Sequence, residues 1–174
     1  MTNQPQSFRA TEGEPAAPEP KIVYRDAFLV AGLRYAGKNE HGEIPALWDS
    51  EFLPRIGELA SLRVGAAYGV SRVLPNVPVE EGFEYLAAVE VKSLAKLPWG
   101  MVGWEIPAQT YAVLPVHDVP DLGRAFDYLY GKWLPQSKEY EAADGPCLEL
   151  YPATYSQDLI IYVYVPVQRK KTGC

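Results

Sequence analysis

GPCLELYPATYSQDLIIYVYVPV (Gly145–Val167) decides the fold, because it predicts two strands joined by a short polar turn. Successive side chains point to opposite faces of a strand. Glu149 therefore shares a face with Tyr151, and Tyr162 shares a face of the second strand with Tyr164. An acidic side chain flanked by a tyrosine must be solvated, paired or open to a charged partner. Glu149 is thus the first candidate for a functional residue.

The rest of the chain predicts the same series of elements twice: a strand, a helix and two further strands. β-Branched and aromatic residues mark the strands, and apolar residues at three- and four-residue spacing mark the helices. The first series comprises the strand Lys21–Lys38, the helix Glu43–Leu62 and the strands Ala66–Leu74 and Phe83–Lys92. The second series comprises the strand Trp104–Val116, a helix from Asp118 to Leu134 and the hairpin of Gly145–Val167.

Both predicted helices carry an apolar stripe and a proline. The stripes are Trp48, Phe52, Ile56 and Leu59 in the first helix and Leu122, Phe126, Leu129 and Trp133 in the second. Pro54 lies inside the first stripe and predicts a kink or two short helices, because proline cannot donate the helical hydrogen bond. Asp118 is placed to cap the second helix, and Pro135 is predicted to end it.

This order predicts an α+β fold made of two β-α-β-β halves, about residues 21–93 and 101–168. Such halves place their helices on one face of a largely antiparallel sheet, and we expect a ligand cleft between them. The Pro- and Glu-rich residues 1–20 and the final residues 169–174 are predicted to be disordered tails.

Composition restricts the class of protein. The net charge of -6 argues against a nucleic-acid surface. The two cysteines form no disulfide framework, and no secretory signal or membrane span is present, so we expect a cytoplasmic protein. His41 and His117 have no partner at metal spacing. With no phosphate loop or nucleophile elbow either, no cofactor and no catalytic residue are assigned.

Several short motifs follow one another along the chain: Ile44-Pro45-Ala46-Leu47-Trp48, Phe83-Glu84-Tyr85, Ala87-Ala88-Val89, Leu97-Pro98-Trp99-Gly100-Met101, Ile106-Pro107-Ala108, Trp133-Leu134-Pro135, Leu148-Glu149-Leu150-Tyr151 and Tyr164-Val165-Pro166-Val167. In this order they resemble the GyrI-like small-molecule-binding domain, the effector-binding domain of AraC- and MerR-type regulators. The resemblance covers about residues 22–168.

The resemblance implies the tandem repeat and a cleft for lipophilic, often cationic, drug-like molecules. It also implies that Glu149 is the anionic anchor of the ligand. The neighbouring ligand contacts would be Tyr151 and Tyr164, followed by Trp104, Tyr111 and Tyr68. Only about twenty residues precede the domain, so we expect a stand-alone sensor or sequestering protein without a DNA-binding segment.

Other interpretations remain open from the sequence. Glu149 could be an exposed strand residue, or could form a structural ion pair with Arg34 or Lys92. The tyrosines could serve packing alone, since tyrosine favours strands. A hydrolase that opens strained electrophilic molecules could use Glu149 as its general base or acid. A gyrase-inhibitor-like module that binds a protein partner is a third alternative.

Overall fold

The computed structural model describes residues 19–171, and contacts within the chain divide it into two units. The first unit is Asp26–Ala108, and the second joins residues 19–25 to residues 109–171. The strands in this part of the chain are β1 (Lys21–Arg25), β2 (Phe28–Gly37), β3 (Arg63–Val73), β4 (Phe83–Val91), β5 (Val102–Ile106), β6 (Gln109–His117), β7 (Tyr140–Ala142), β8 (Cys147–Tyr151) and β9 (Ile160–Arg169).

The first unit is an antiparallel sheet with strand order β3-β4-β2-β5, a long helical segment on one face and a single 3-10 turn (Val79–Glu81) before β4. The segment changes its hydrogen-bond spacing along its length, from an α-helical turn (Glu43–Ala46) to a π-helical part (Leu47–Phe52) and a 3-10 part (Leu53–Leu59). The last change falls at Pro54, which lacks the N–H that would continue the π-helical part. The predicted interruption is therefore a change of spacing inside one continuous segment.

The predicted stripe of this segment does face the sheet. Phe52 and Leu59 are fully buried, and Trp48 and Ile56 pack beside them against β2 and β4. The indole N–H of Trp48 donates a 2.9 Å hydrogen bond to the Tyr85 hydroxyl on β4, which fixes the segment on the face that carries Tyr85. We call this the helix-side face of the first unit.

The second unit repeats the arrangement with strand order β1-β6-β9-β8, and β7 pairs with the end of β9. Its helical segment runs through Val119–Asp121, Leu122–Tyr128, Leu129–Trp133 and Leu134–Gln136. Leu122 and Leu129 of the predicted stripe are buried, and Phe126 and Trp133 pack against the same core. The Asp118 carboxylate accepts the Val119 N–H at 2.8 Å, as expected for a cap.

The tandem repeat predicted from the element order is confirmed. In each unit a strand and a helical segment are followed by two strands, with the short β7 added before them in the second unit, and the pairing orders β3-β4-β2 and β8-β9-β6 correspond. Each trio gains one further strand, β5 beside β2 and β1 beside β6.

Three predicted boundaries need correction. Lys21–Lys38 and Trp104–Val116 are each two strands, interrupted at residues 26–27 and at residues 107–108. Because β1 pairs in the second unit and β5 in the first, residues 21–25 and 101–108 lie in the opposite halves from those expected. The second helical segment continues past Pro135 to Gln136, where Ser137 turns the backbone to an extended conformation.

Two smaller features were not predicted. The connection between β8 and β9 contains a short helix, Tyr155–Asp158, instead of a simple turn, and β7 was not expected. The proposed tails fall largely on residues 1–18 and 172–174, which lie outside the described residues. Within residues 19–171 no helix combines the length and apolar character needed to cross a membrane.

Candidate functional site

Strand β9 alternates between its two faces as the sequence predicts. Three of its side chains are completely buried in the core that also contains the second helical segment: Ile161, Val163 and Val165. Tyr162 and Tyr164, between them, are half-buried on the other side of the sheet. The side that carries Val163 is the helix-side face of the second unit, and the side that carries Tyr164 is its opposite face.

The pairing register of β8 and β9 assigns Glu149 to a face. Glu149 lies directly opposite Val163, and Leu148 lies directly opposite Tyr164. Residues that are directly opposite in an antiparallel pair point to the same face. Glu149 therefore lies on the helix-side face and Tyr164 on the opposite face, which differs from the expectation that these two side chains are neighbours.

Tyrosine side chains accompany Glu149 on the helix-side face. The Tyr151 hydroxyl donates a hydrogen bond of 3.1 Å to the Glu149 carboxylate. The ring of Tyr151 meets the ring of Tyr155 edge to face, with centroids 5.3 Å apart. The Tyr155 hydroxyl in turn donates to Asp118 at 3.0 Å, so the helix start orients both rings. Glu149 as a residue is half-buried.

Cys147 lies two residues before Glu149 on the same face. Its Sγ atom is 3.2 Å from the Tyr130 hydroxyl, which projects from the helical segment. Burial raises the pKa of the Cys147 thiol, and the negative charge of Glu149 raises it further. Burial also raises the pKa of the Tyr130 hydroxyl. Both groups therefore stay protonated at neutral pH. We call Tyr130, Cys147, Glu149, Tyr151 and Tyr155 the Glu149 patch.

Tyr111 and Tyr164 form a separate aromatic pair on the opposite face of the second unit. Their ring centroids are 5.4 Å apart, with the planes at 78°. Tyr111 on β6 is completely buried, and burial raises the pKa of the Tyr164 hydroxyl. The two predicted residues come together as expected of strand neighbours, although on the other side of the sheet from Glu149.

Tyr68 and Trp104 belong to the first unit, on the face opposite to its helical segment. Tyr68 is buried against the ring of Phe28, with centroids 5.3 Å apart. Trp104 is 7% exposed, and the Arg72 guanidinium carbon lies 3.7 Å from the centre of its indole ring. One face of Trp104 is thus covered by a cation that belongs to the protein.

The same face carries a charged cluster that the sequence patterns do not predict. Glu84 on β4 is 8% exposed and accepts from Arg34 Nε at 2.7 Å and from Arg72 Nε at 2.6 Å. The hydrogen bond from Arg72, followed by the one from Arg34, lowers the pKa of the Glu84 carboxyl. Arg34, one of the two partners suggested for Glu149, is therefore engaged by Glu84. Glu84 belongs to the motif Phe83-Glu84-Tyr85, but the arginines that pair with it are 12 and 50 residues away in sequence, so the pairing depends on the sheet register.

A cavity of about 440 Å³ lies elsewhere in the second unit. Its rings are Tyr128, Trp133 and Tyr140, and Glu19 and Glu139 supply carboxylates at its border. None of the six predicted contact residues is in its lining as far as the chain is described. Among residues 19–171 no group of three or more potential metal ligands occurs.

Solved structures share this fold. The protein SAV2435 bound to tetraphenylphosphonium gives a TM-score of 0.68 with 15% identity, over 87% of this chain and 94% of that one. The C-terminal domain of EcmrR gives 0.62 with 16% identity, over 87% and 98%. The integron cassette protein VCH_CASS2 from the mobile metagenome of Vibrio cholerae gives 0.58 with 14% identity, over 86% and 96%. At such identities the likeness establishes the fold.

Sequence comparisons add a family and a relative. The family model Cass2, an integron-associated effector binding protein, matches residues 21–167. The transcriptional regulator BrlR of Pseudomonas aeruginosa is 31% identical over 153 residues, which cover 84% of this chain and 54% of BrlR. The chain thus spans about half the length of that regulator.

Proposed function

This chain belongs to the Cass2 family of integron-associated effector binding proteins, and from that premise we propose that Glu149 anchors a lipophilic organic cation. The chain is a GyrI-like effector-binding domain, as its sequence motifs predicted, and such a domain binds a small molecule. The proposal specifies the charge of that molecule and the side chain that receives it. The bound cation would be sensed as an effector or sequestered.

The observation that carries the proposal is the half-buried Glu149 carboxylate among the rings of the Glu149 patch. Partial burial removes water from a carboxylate and makes an added positive charge favourable. At about 4 Å and an effective dielectric constant near 20, an ion pair contributes about 4 kcal/mol before desolvation costs. A ring facing the cation adds roughly 0.5–2 kcal/mol. Affinities in the micromolar range, about -8 kcal/mol, are therefore expected after association costs.

The ligand class is supported by one structural relative. SAV2435 has been solved with tetraphenylphosphonium, a lipophilic cation with four aromatic rings. The fold is shared at 15% identity, so the ligand of that protein supports the choice of probe for this one. Rings and a single charge impose few shape requirements, and we expect this chain to accept several cations of similar size.

Isothermal titration with tetraphenylphosphonium tests the proposal. We expect Glu149→Gln to weaken binding about 10- to 100-fold, because the exchange removes the charge and keeps the size of the side chain. Glu141→Gln is the matched control, since Glu141 is a half-buried strand acid of the same unit whose carboxylate accepts from Gln168. Neutral triphenylphosphine oxide serves as the matched probe and should bind equally to the wild type and to Glu149→Gln. Equal affinity of both proteins for the cation would contradict the anchor role.

A further inference from the structure

Arg72 already provides, within the first unit, the contacts that a bound cation would make. Its guanidinium lies 3.7 Å from the centre of the Trp104 ring, and its Nε atom is 2.6 Å from a Glu84 oxygen. A cation over an indole face and beside a carboxylate combines two of the strongest contacts available to organic cations. The position beside Trp104 and Glu84 is thus a cation site with an internal occupant.

Glu84 does not depend on Arg72 alone. Its second carboxylate oxygen accepts from Arg34 Nε at 2.7 Å. If the Arg72 guanidinium moves away, the Glu84 charge remains paired with Arg34. The Arg72 side chain is 42% exposed, so its guanidinium can regain water when it leaves the ring. Replacing this guanidinium by another cation therefore leaves the charge balance around Glu84 unchanged.

We propose that Trp104 and Glu84 form a second cation-binding site and that Arg72 competes internally for it. The proposal rests on the proposed function for its class of ligand, a lipophilic aromatic cation. For a strongly hydrated ammonium ion, the free energy gained by contact with the indole face is smaller than the hydration free energy that it loses. Such an ion therefore does not displace Arg72 from Trp104. An aromatic cation also gains from burial of its rings and displaces the guanidinium. Arg72 thereby selects ligands by lipophilicity.

Arg34 is the matched control for Arg72. Both arginines contact the same carboxylate through Nε, and both side chains are 42% exposed. The guanidinium over Trp104 belongs to Arg72. If the loss of a positive charge alone changes the affinity for a cation, Arg34→Gln and Arg72→Gln should change it equally. If Arg72 competes for the Trp104 ring, the affinity should rise in Arg72→Gln alone.

The experiment titrates tetraphenylphosphonium into the wild type, Arg72→Gln, Arg34→Gln and Arg72→Gln/Trp104→Phe. We expect Arg72→Gln to bind about 2- to 30-fold more tightly than Arg34→Gln, the range expected for one vacated cation–ring contact. Most of the gain should be lost in the double variant. Arg72→Lys, which keeps the charge but not the planar group, should give a smaller gain and serves if Arg72→Gln folds poorly.

A measurement without ligand separates the two proposals. Acrylamide quenching of Trp104, taken as the difference between each protein and its Trp104→Phe counterpart, should increase in Arg72→Gln and stay constant in Arg34→Gln.

Equal affinities and equal quenching for the two variants would overturn the internal competition, even where Glu149→Gln abolishes binding. A gain in Arg72→Gln that depends on Trp104 would support it, even where Glu149→Gln has no effect. Absence of binding in every protein would reject both proposals.

Discussion

Glu84 and Glu149 are both strand carboxylates, and their surroundings give them different properties. Glu84 is held by two guanidinium groups, so its negative charge is already used within the protein. The hydrogen bond described for Glu149 comes from the neutral hydroxyl of Tyr151. The sequence places Glu84 next to Tyr85 and Glu149 two residues before Tyr151, and the sheet register determines which other residues surround them.

The charge of Glu149 should be detectable through Cys147. Because Glu149 contributes to the raised pKa of the Cys147 thiol, Glu149→Gln should lower that pKa and increase the reactive thiolate. We expect alkylation of Cys147 by iodoacetamide to accelerate by up to about tenfold, the change for one pKa unit. Mass spectrometry of the digested peptide measures the rate, with Glu141→Gln as control. An unchanged or slower rate would contradict the proximity of the two groups.

Glu84 should make stability depend on pH. Its folded-state pKa is lower than the ordinary 4.5, so the stabilisation by the arginine pairs is complete above pH 4.5. This stabilisation is lost as the pH falls through the lowered pKa. At pH 7, Glu84→Gln should reduce the free energy of unfolding by about 1–3 kcal/mol. Urea denaturation should show this difference narrowing below pH 4.5. A constant difference down to pH 2 would argue against ionised Glu84 as the cause.

At the scale of elements, Asp118 starts the second helical segment and also contacts the connection between β8 and β9. One carboxylate oxygen accepts from Val119 N–H at 2.8 Å and from the Tyr155 hydroxyl at 3.0 Å. The residue has a φ of 68°, which is unfavourable for a side chain with a Cβ atom. The contacts of the carboxylate offset this backbone strain.

Two substitutions at Asp118 separate the contacts from the strain. Asp118→Ala loses both hydrogen bonds and keeps the strained backbone, so we expect a loss of about 1–3 kcal/mol in the free energy of unfolding. Asp118→Gly loses the same bonds but relieves the strain, and should be the more stable of the two. Tyr155→Phe controls for the single hydroxyl contact. Urea denaturation of the three variants measures the order of their stabilities. A glycine variant that is less stable than the alanine variant would contradict the role of backbone strain.

Element types were predictable where the periodicity was long, and element ends were not. The stripes of Phe52 and Leu59 and of Leu122 and Leu129 lie on the buried faces as predicted. The breaks at residues 26–27 and 107–108 were missed, because strand-forming residues continue on both sides of each break. The local strand propensity of a segment does not determine which partner strand it pairs with.

At the scale of the whole molecule, the repeat was predictable because the order of elements repeats. The side of the sheet on which each functional candidate lies was not. Glu149 pairs with Val163, and a shift of one residue in the connection would have placed it beside Tyr164 instead. The alternation within a strand can be read from the sequence, whereas the register between two strands depends on the length and conformation of residues 152–159. The sequence therefore indicated the candidate residues but not which of them share a face.

β1 pairs with β6 of the second unit, although residues 21–25 precede the first unit in sequence. This pairing matters when the protein is divided into two pieces. A segment of residues 26–108 keeps the strands β2, β3, β4 and β5 and the pairings between them. A segment of residues 109–171 lacks β1, which leaves one side of β6 with open backbone groups that invite self-association. We expect light scattering to show the second piece forming large particles. Supplying residues 19–25 ahead of residue 109 through a flexible glycine-serine tether should restore solubility.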